Sequence, residues 1–401
     1  AGKLLEIDPS TVTTGGDFVS VAGSLTTTAP LVTDVGGTLT AGGNFLGVTG
    51  SLTATTPAAL LQFSGSTVTT DRSFVSVESS ATLSGSLLEA KNSTLKIPAQ
   101  ANVISNPGFE SGLAGWTVFN QAGGSGDFLI QAGTLSPLSG FAVPAPPGGL
   151  SAAMSDQGGP GVHILHRDVV VPADSPVLRF KLFVGNRSPS FVSPNSITLP
   201  NFNVSPTNAP SSNQQARVDL VASTAGIQDV GAGVLRNLFQ TMPGDPLVSG
   251  YETLVFDLSA FAGQTVRLRF TEVDNQLFFQ LGVDDFSLAS EPALLSLRSG
   301  ATLTSSGPVL DLEDTTVTLD GPVLRLTGGS TLRVTRGPAI RIRGGSLTAD
   351  ALRIAGSSGN TFDLTGTVLD AANATVTLRT LGEDPEDSHN TVRFTLGLNE
   401  P

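Results

Sequence analysis

The side chains able to do chemistry are few and thinly spread. His163 and His166 are the one close histidine pair, and a strand turns residues three apart to opposite faces, so they make a poor metal clip. Asp311 and Asp370 occupy equivalent outward positions of a repeated strand. Stacked at one repeat per strand spacing they stand roughly 19 Å apart, whereas paired glycosidase carboxylates need roughly 5 to 9.5 Å. Arginines fill the positions between them. The run GEDPEDSHN offers Glu383, Asp384, Glu386 and Asp387, but not the alternating ligand spacing of a calcium loop, and reads as a solvated turn. Repeated Thr-x-Thr segments suggest a hydroxyl grid of the kind that could bind ice. Lys96, Arg333 and Asp363 interrupt it, and threonine favours strands in any case. Nothing here assembles a catalytic site, so the expectation is a protein that is not an enzyme.

The elements that carry these residues announce themselves by repetition. From Pro292 to Gly356 a Leu-x-Leu strand, a turn, a Thr-Leu-Thr-like strand and a second turn recur about every 14–15 residues. First-strand anchors are Leu295, Leu310, Leu324, Ile340 and Leu352; second-strand anchors are Leu303, Val317, Leu332 and Leu347. A short fixed period with apolar-polar alternation marks a solenoid, in which each turn buries its face only against its neighbours. The same grammar runs through residues 1–98, lapses over 99–290, and resumes in step over 291–401. The fold expected is all-β: a short-turn parallel β-solenoid interrupted at one corner by a separate domain. Counting one repeat per turn gives a rod about 60 Å long. It exposes Glu6, Gln62, Glu89, Asp311, Arg325, Arg341, Arg353 and Asp370, with Asp311 beside Arg325.

Composition agrees. Only 14% of residues are charged, 46 are glycine and none is cysteine, which suits short strands and tight turns and excludes a disulfide framework. A net charge of −13 argues against nucleic acid as a partner. No apolar run approaches the roughly 20 residues of a membrane-spanning helix. The sequence opens directly on a repeat, as expected of a mature secreted or cell-surface bacterial protein.

The interrupting segment holds Trp116, Tyr251 and most phenylalanines, together with ordered motifs: NPGFES from Asn106, LAGWTV from Leu113, FDLSAFAGQTVRLRF from Phe256 and LGVDDFSL from Leu281. With its alternating strands, this set resembles bacterial jelly-roll modules of the carbohydrate-binding, galactose-binding-like kind. The resemblance implies an antiparallel β-sandwich, possible glycan partners and a structural Ca2+ near the joined termini. By position its ligands would be Glu110 with Asp284 or Asp285. The Ser-, Pro- and Asn-rich stretch from Gly185 to Gln215 reads as a long loop, a candidate contact arm. Regular apolar turns near both ends, at Leu4, Leu5 and Ile7 and at Val392, Phe394 and Leu396, suggest head-to-tail self-association. The expected role is a subunit of an extracellular filament or surface layer, with a glycan-binding adhesin as the alternative and a polysaccharide-active enzyme as a weaker one.

Overall fold

The computed structural model describes residues 3–200, 202, 212–352 and 359–378. It contains two compact units, residues 1–100 with 291–401, and residues 101–290. The first is a parallel β-solenoid of strands three or four residues long, set on four faces. The first face stacks Leu5–Ile7, Val32–Val35, Leu61–Ser64, Leu88–Lys91, Leu310–Glu313, Ile340–Arg343 and Leu369–Ala372 in that order. All ladders run in register: Leu5 lies opposite Val32, and Val32 opposite Leu61.

The repeat of 14–15 residues is therefore half a circuit. A strand bonds to the one two repeats away, 27 to 30 residues along the chain. One repeat covers two faces, and four strands are needed to return above the start. Among the described residues the first face holds seven strands, so at ~4.8 Å per step its stack is about 29 Å deep, half the length expected from one repeat per turn. Alternate repeats also fall on opposite sides. Asp311 is flanked on its own face by Arg341, Nη1 to Oδ2 3.0 Å, and not by Arg325. Asp370 lies one further strand along, so the two aspartates are about 9.6 Å apart at the strand spacing. Each is held by a guanidinium, Arg341 on Asp311 and Arg343 on Asp370. Arg325 belongs to the third face and is buried at 1% exposure, with Glu291 3.8 Å away, so pointing out of the coil did not mean reaching water. The threonine ladder likewise divides between the second and fourth faces.

Two features of the sequence set the coil. The corner between the first and second faces takes a left-handed residue in successive circuits: Gly36, Gly65, Asn92, Asp314, Gly344 and Asn373, with φ between 45° and 71°. Only glycine, asparagine and aspartate enter that region at low cost. Inside, aliphatic residues stack on their equivalents, and Phe45 lies between Phe18 and Phe74 at ring distances of 4.6 and 5.1 Å with Phe63 edge-on. The chain leaves the second face after Thr94–Ile97 and re-enters on the third at Leu295–Leu297, which pairs with Val75–Val77. That is the next face in the sequence of four, so the solenoid continues in step across the insertion.

The second unit is two five-stranded antiparallel sheets. In one the order is Thr117–Asn120, Gly161–Val170, Thr265–Asp274, Gln215–Ala222, Val234–Gln240; in the other it is Asp127–Gln131, Ala152–Asp156, Phe279–Ser290, Pro176–Asn186, Glu252–Asp257. Their shared core includes Phe109, Trp116, Phe180, Phe270 and Phe286. The loop after Pro176–Asn186 is not a free arm where it is described. Phe191 packs on Phe279, and Ile197 and Leu199 pack with Val162 and Ile164, all buried. Arg353, the acidic run Glu383 to Asp387, and Val392, Phe394 and Leu396 lie outside the described residues. Among the described residues no helix is long and apolar enough to cross a membrane.

Candidate functional site

The opening and closing motifs of the inserted unit meet. Asn106, at φ 52°, caps its own turn: its side-chain amide donates to the carbonyls of Gly112 and Ala114 at 2.8 and 3.1 Å, and its oxygen accepts the Ser111 N–H at 3.0 Å. This drops Phe109 into the core against Trp116 and Phe286, and the Phe286 N–H donates to Pro107 O at 3.0 Å. A register shift between Arg179 and Lys181 on the neighbouring strand, with φ 55° at Asp285, separates the two acids of the closing motif. Asp285 turns outward, 3.0 Å from Lys181 Nζ. Asp284 stays buried with Oδ1 unpartnered. Burial pushes its carboxyl up to about 7, with Asp285 and Glu110 adding like-charge repulsion against the Asp285 N–H and Lys181. Glu110 is therefore close enough to be felt, and its carboxylate folds back over Gly108, where a Cβ would lie 2.6 Å from Oε2. A buried carboxylate with one unpartnered oxygen suits a hard divalent cation, so Asp284 fits calcium chemistry; Glu110 is exposed and acts on it as a like charge, and Asp285 is engaged by lysine.

A cleft of 310 Å3 opens where the edge strands of the two sheets diverge. Its floor is Leu182 and Val184 of Pro176–Asn186, Phe239 of Val234–Gln240 and Leu254 of Glu252–Asp257. Its rim carries the exposed carboxylates of Asp245 and Glu252. The loop before Glu252 is pinned as a wall: Asn186 N–H donates to Leu247 O at 2.8 Å, Ser249 N–H to Val184 O at 2.9 Å, and Val184 N–H to Ser249 Oγ at 3.0 Å. Sequence reasoning missed this site because its residues come from three separated strands with ordinary alternation. The sole local signal is the turn-rich TMPGDP beside a half-buried phenylalanine.

On the solenoid, the sequence singled out Leu4, Leu5 and Ile7. Leu4 is 63% exposed, Leu5 is half-buried and Ile7 is buried. Inward residues of this first circuit, Leu5, Val12, Val19 and Leu25, are half-buried, whereas their partners one circuit on, Val32, Leu39, Leu46 and Leu52, are at most 2% exposed. Among the described residues, the first circuit is packed on one neighbouring circuit.

No family model and no curated protein matches the sequence. Solved structures resemble it in outline. The carbohydrate-binding module TmCBM61, solved with β-1,4-galactotriose, is 12% identical over 48% of this chain and 99% of its own, with a TM-score of 0.28. The K3 cleaved adhesin domain of Lys-gingipain from Porphyromonas gingivalis W83 is 16% identical over 47% of this chain and 99% of its own, at 0.30. Tailspike protein 4 of bacteriophage CBA120 is 10% identical over 72% of this chain and 44% of its own, at 0.26. At such values no residue role or ligand transfers to this chain.

Proposed function

We propose that this is a non-catalytic extracellular protein in which the inserted sandwich binds carbohydrate at the cleft between its edge strands while the solenoid serves as scaffold. The cleft carries the reading. Its volume lies at the small end of ligand pockets, with an apolar floor and a few polar groups at the rim. A sugar ring offers the matching pair of surfaces. Its C–H face packs on Phe239, Leu182 and Leu254, and its hydroxyls donate charge-assisted hydrogen bonds to Asp245 and Glu252. Calcium held by Glu110 and Asp284 would brace the joint between the opening and closing motifs and stabilise the sandwich by binding only its folded form. A glycan array followed by titration calorimetry with the best binder tests this reading. Phe239→Ala and Glu252→Gln should each weaken binding by ~10-fold or more, the loss of about 1.4 kcal/mol. Unchanged affinity in both variants, or no glycan bound, refutes it.

A second reading is end-to-end stacking into a filament, for which the half-buried inward residues Leu5, Val12, Val19 and Leu25 would supply the apolar contact. A second copy laid on the first circuit would continue the ladder and cover them. Stacking one circuit on a different circuit of a second copy would be a heterologous, non-closing contact. Leu5→Lys with Ile7→Lys should abolish any polymers seen by negative stain and sedimentation while leaving a folded monomer. Wild-type protein that remains monomeric at high concentration sinks this reading.

A further inference from the structure

The inserted unit buries a polar cluster at one end of its sandwich that neither the glycan cleft nor the motif joint uses. His163 lies opposite Glu272 across the ladder between Gly161–Val170 and Thr265–Asp274, and Asp274 is two residues further along. Leu165 and Phe270, two positions away on the same strands, belong to the sandwich core, so strand alternation turns His163, Glu272 and Asp274 to the same interior side. All three are at most 2% exposed. One ligand atom from each can be chosen so that all lie within 4.8 Å of one another.

The hydrogen bonding is incomplete where an ion would sit. Asp274 Oδ1 accepts the Gly161 N–H at 2.8 Å, but both oxygens of Glu272 are fully buried and unpartnered. Both ring nitrogens of His163 face acceptors, Nδ1 at 2.8 Å from Asn120 Oδ1 and Nε2 at 3.1 Å from Ser125 O. Asn120 is fixed that way round because its amide nitrogen donates to Asp127 Oδ1 at 2.9 Å. Nδ1 therefore carries a proton, and Nε2 confronts a carbonyl lone pair unless something positive lies there. Glycine at position 161 keeps that side open, since a Cβ would collide with His163 Nε2 and stand 2.8 Å from Ser125 O.

We infer that His163 Nε2, Glu272 and Asp274 form a binding site for a divalent cation of the zinc class. Zinc takes imidazole nitrogen and carboxylate oxygen together, whereas calcium prefers oxygen alone. The Nδ1–H to Asn120 bond is the supporting contact that a metal-bound imidazole usually makes. A divalent ion would neutralise both buried carboxylates at once. A pocket of 170 Å3 lined by Pro160, Asp274 and Asn275 adjoins the cluster at Asp274.

The test uses the full chain, stripped with chelator and then titrated separately with ZnCl2, MnCl2 and CaCl2, with bound metal measured by mass spectrometry and stability by thermal melting. The wild type should retain one zinc per chain and melt higher with it. Glu272→Gln keeps the shape and removes the charge, so it should melt no lower than wild type without metal. It should bind zinc more than ~100-fold more weakly, beyond what loss of a supporting hydrogen bond costs. His163→Gln should behave alike, and Asp284→Asn should leave zinc binding intact. Failure of wild type to bind zinc, preference for calcium, or unaltered zinc affinity in Glu272→Gln overturns the assignment.

Discussion

Removing residues 101–290 and joining Gln100 to Glu291 should leave a folded solenoid of nearly unchanged stability. The chain would then pass from Ile97 on the second face to Leu295 on the third through residues 98–100 and 291–294. Elsewhere the same corner is made by shorter segments, such as 42–45 between Ala41 and Leu46, so the joined connection is long enough. If the insertion acted as a flexible loop, replacing it with this short link would relieve closure entropy of ~3 kcal/mol, from (3/2)RT times the logarithm of the length ratio. It does not act so. Val103 N–H donates to Leu288 O at 2.9 Å, tying the ends of the folded insertion together, so it closes like a short loop. The expected change is therefore within about 1 kcal/mol, well below the loop estimate. Urea unfolding followed by far-ultraviolet circular dichroism measures it. A deletion protein without β signal, or one destabilised by several kcal/mol, would refute the claim that the ladders on either side form one stack.

Other outcomes follow from single sites. Phe45→Ala should cost about 3–5 kcal/mol, as for other buried phenylalanines, and hydrogen exchange should show the loss in the first circuits and not throughout, because a solenoid is coupled only to its neighbours. Asp219 accepts from Arg217 and Arg269 in a buried cluster, so Asp219→Asn should destabilise the sandwich by about 3–5 kcal/mol by stranding guanidinium charge, read from its melting curve. Asp284 has its folded pKa raised to about 7, so in chelator its protonation stabilises the fold at low pH, and that stability is lost as pH rises from about 4 through 7. Asp284→Asn should flatten this slope relative to wild type, and an unchanged pH profile counts against the buried carboxyl. Chelator should lower, and calcium restore, the melting temperature of the wild type but not of Asp284→Asn with Glu110→Gln; equal curves would remove calcium from the joint.

Fold class was legible in this sequence because a solenoid states its structure locally. Strand alternation and the repeated Leu and Val positions each need only a few neighbouring residues to be read. The resumption of the pattern at Leu295 located the re-entry in the same way. What the sequence left undecided was the number of repeats in a circuit. Two half-circuits with nearly identical grammar look like two full turns, and only hydrogen-bond pairing, Leu5 with Val32, separates them. That one choice reassigned the partner of Asp311 from Arg325 to Arg341. In the sandwich, the opening and closing motifs meet where Phe286 N–H donates to Pro107 O, and the backbone irregularity at Asp285 decided which aspartate stayed inside. Neither the cleft between the edge strands nor the meeting of His163 with Glu272 and Asp274 was written locally. Both depend on which antiparallel strands lie side by side, and that is settled by long-range burial of the aromatic core.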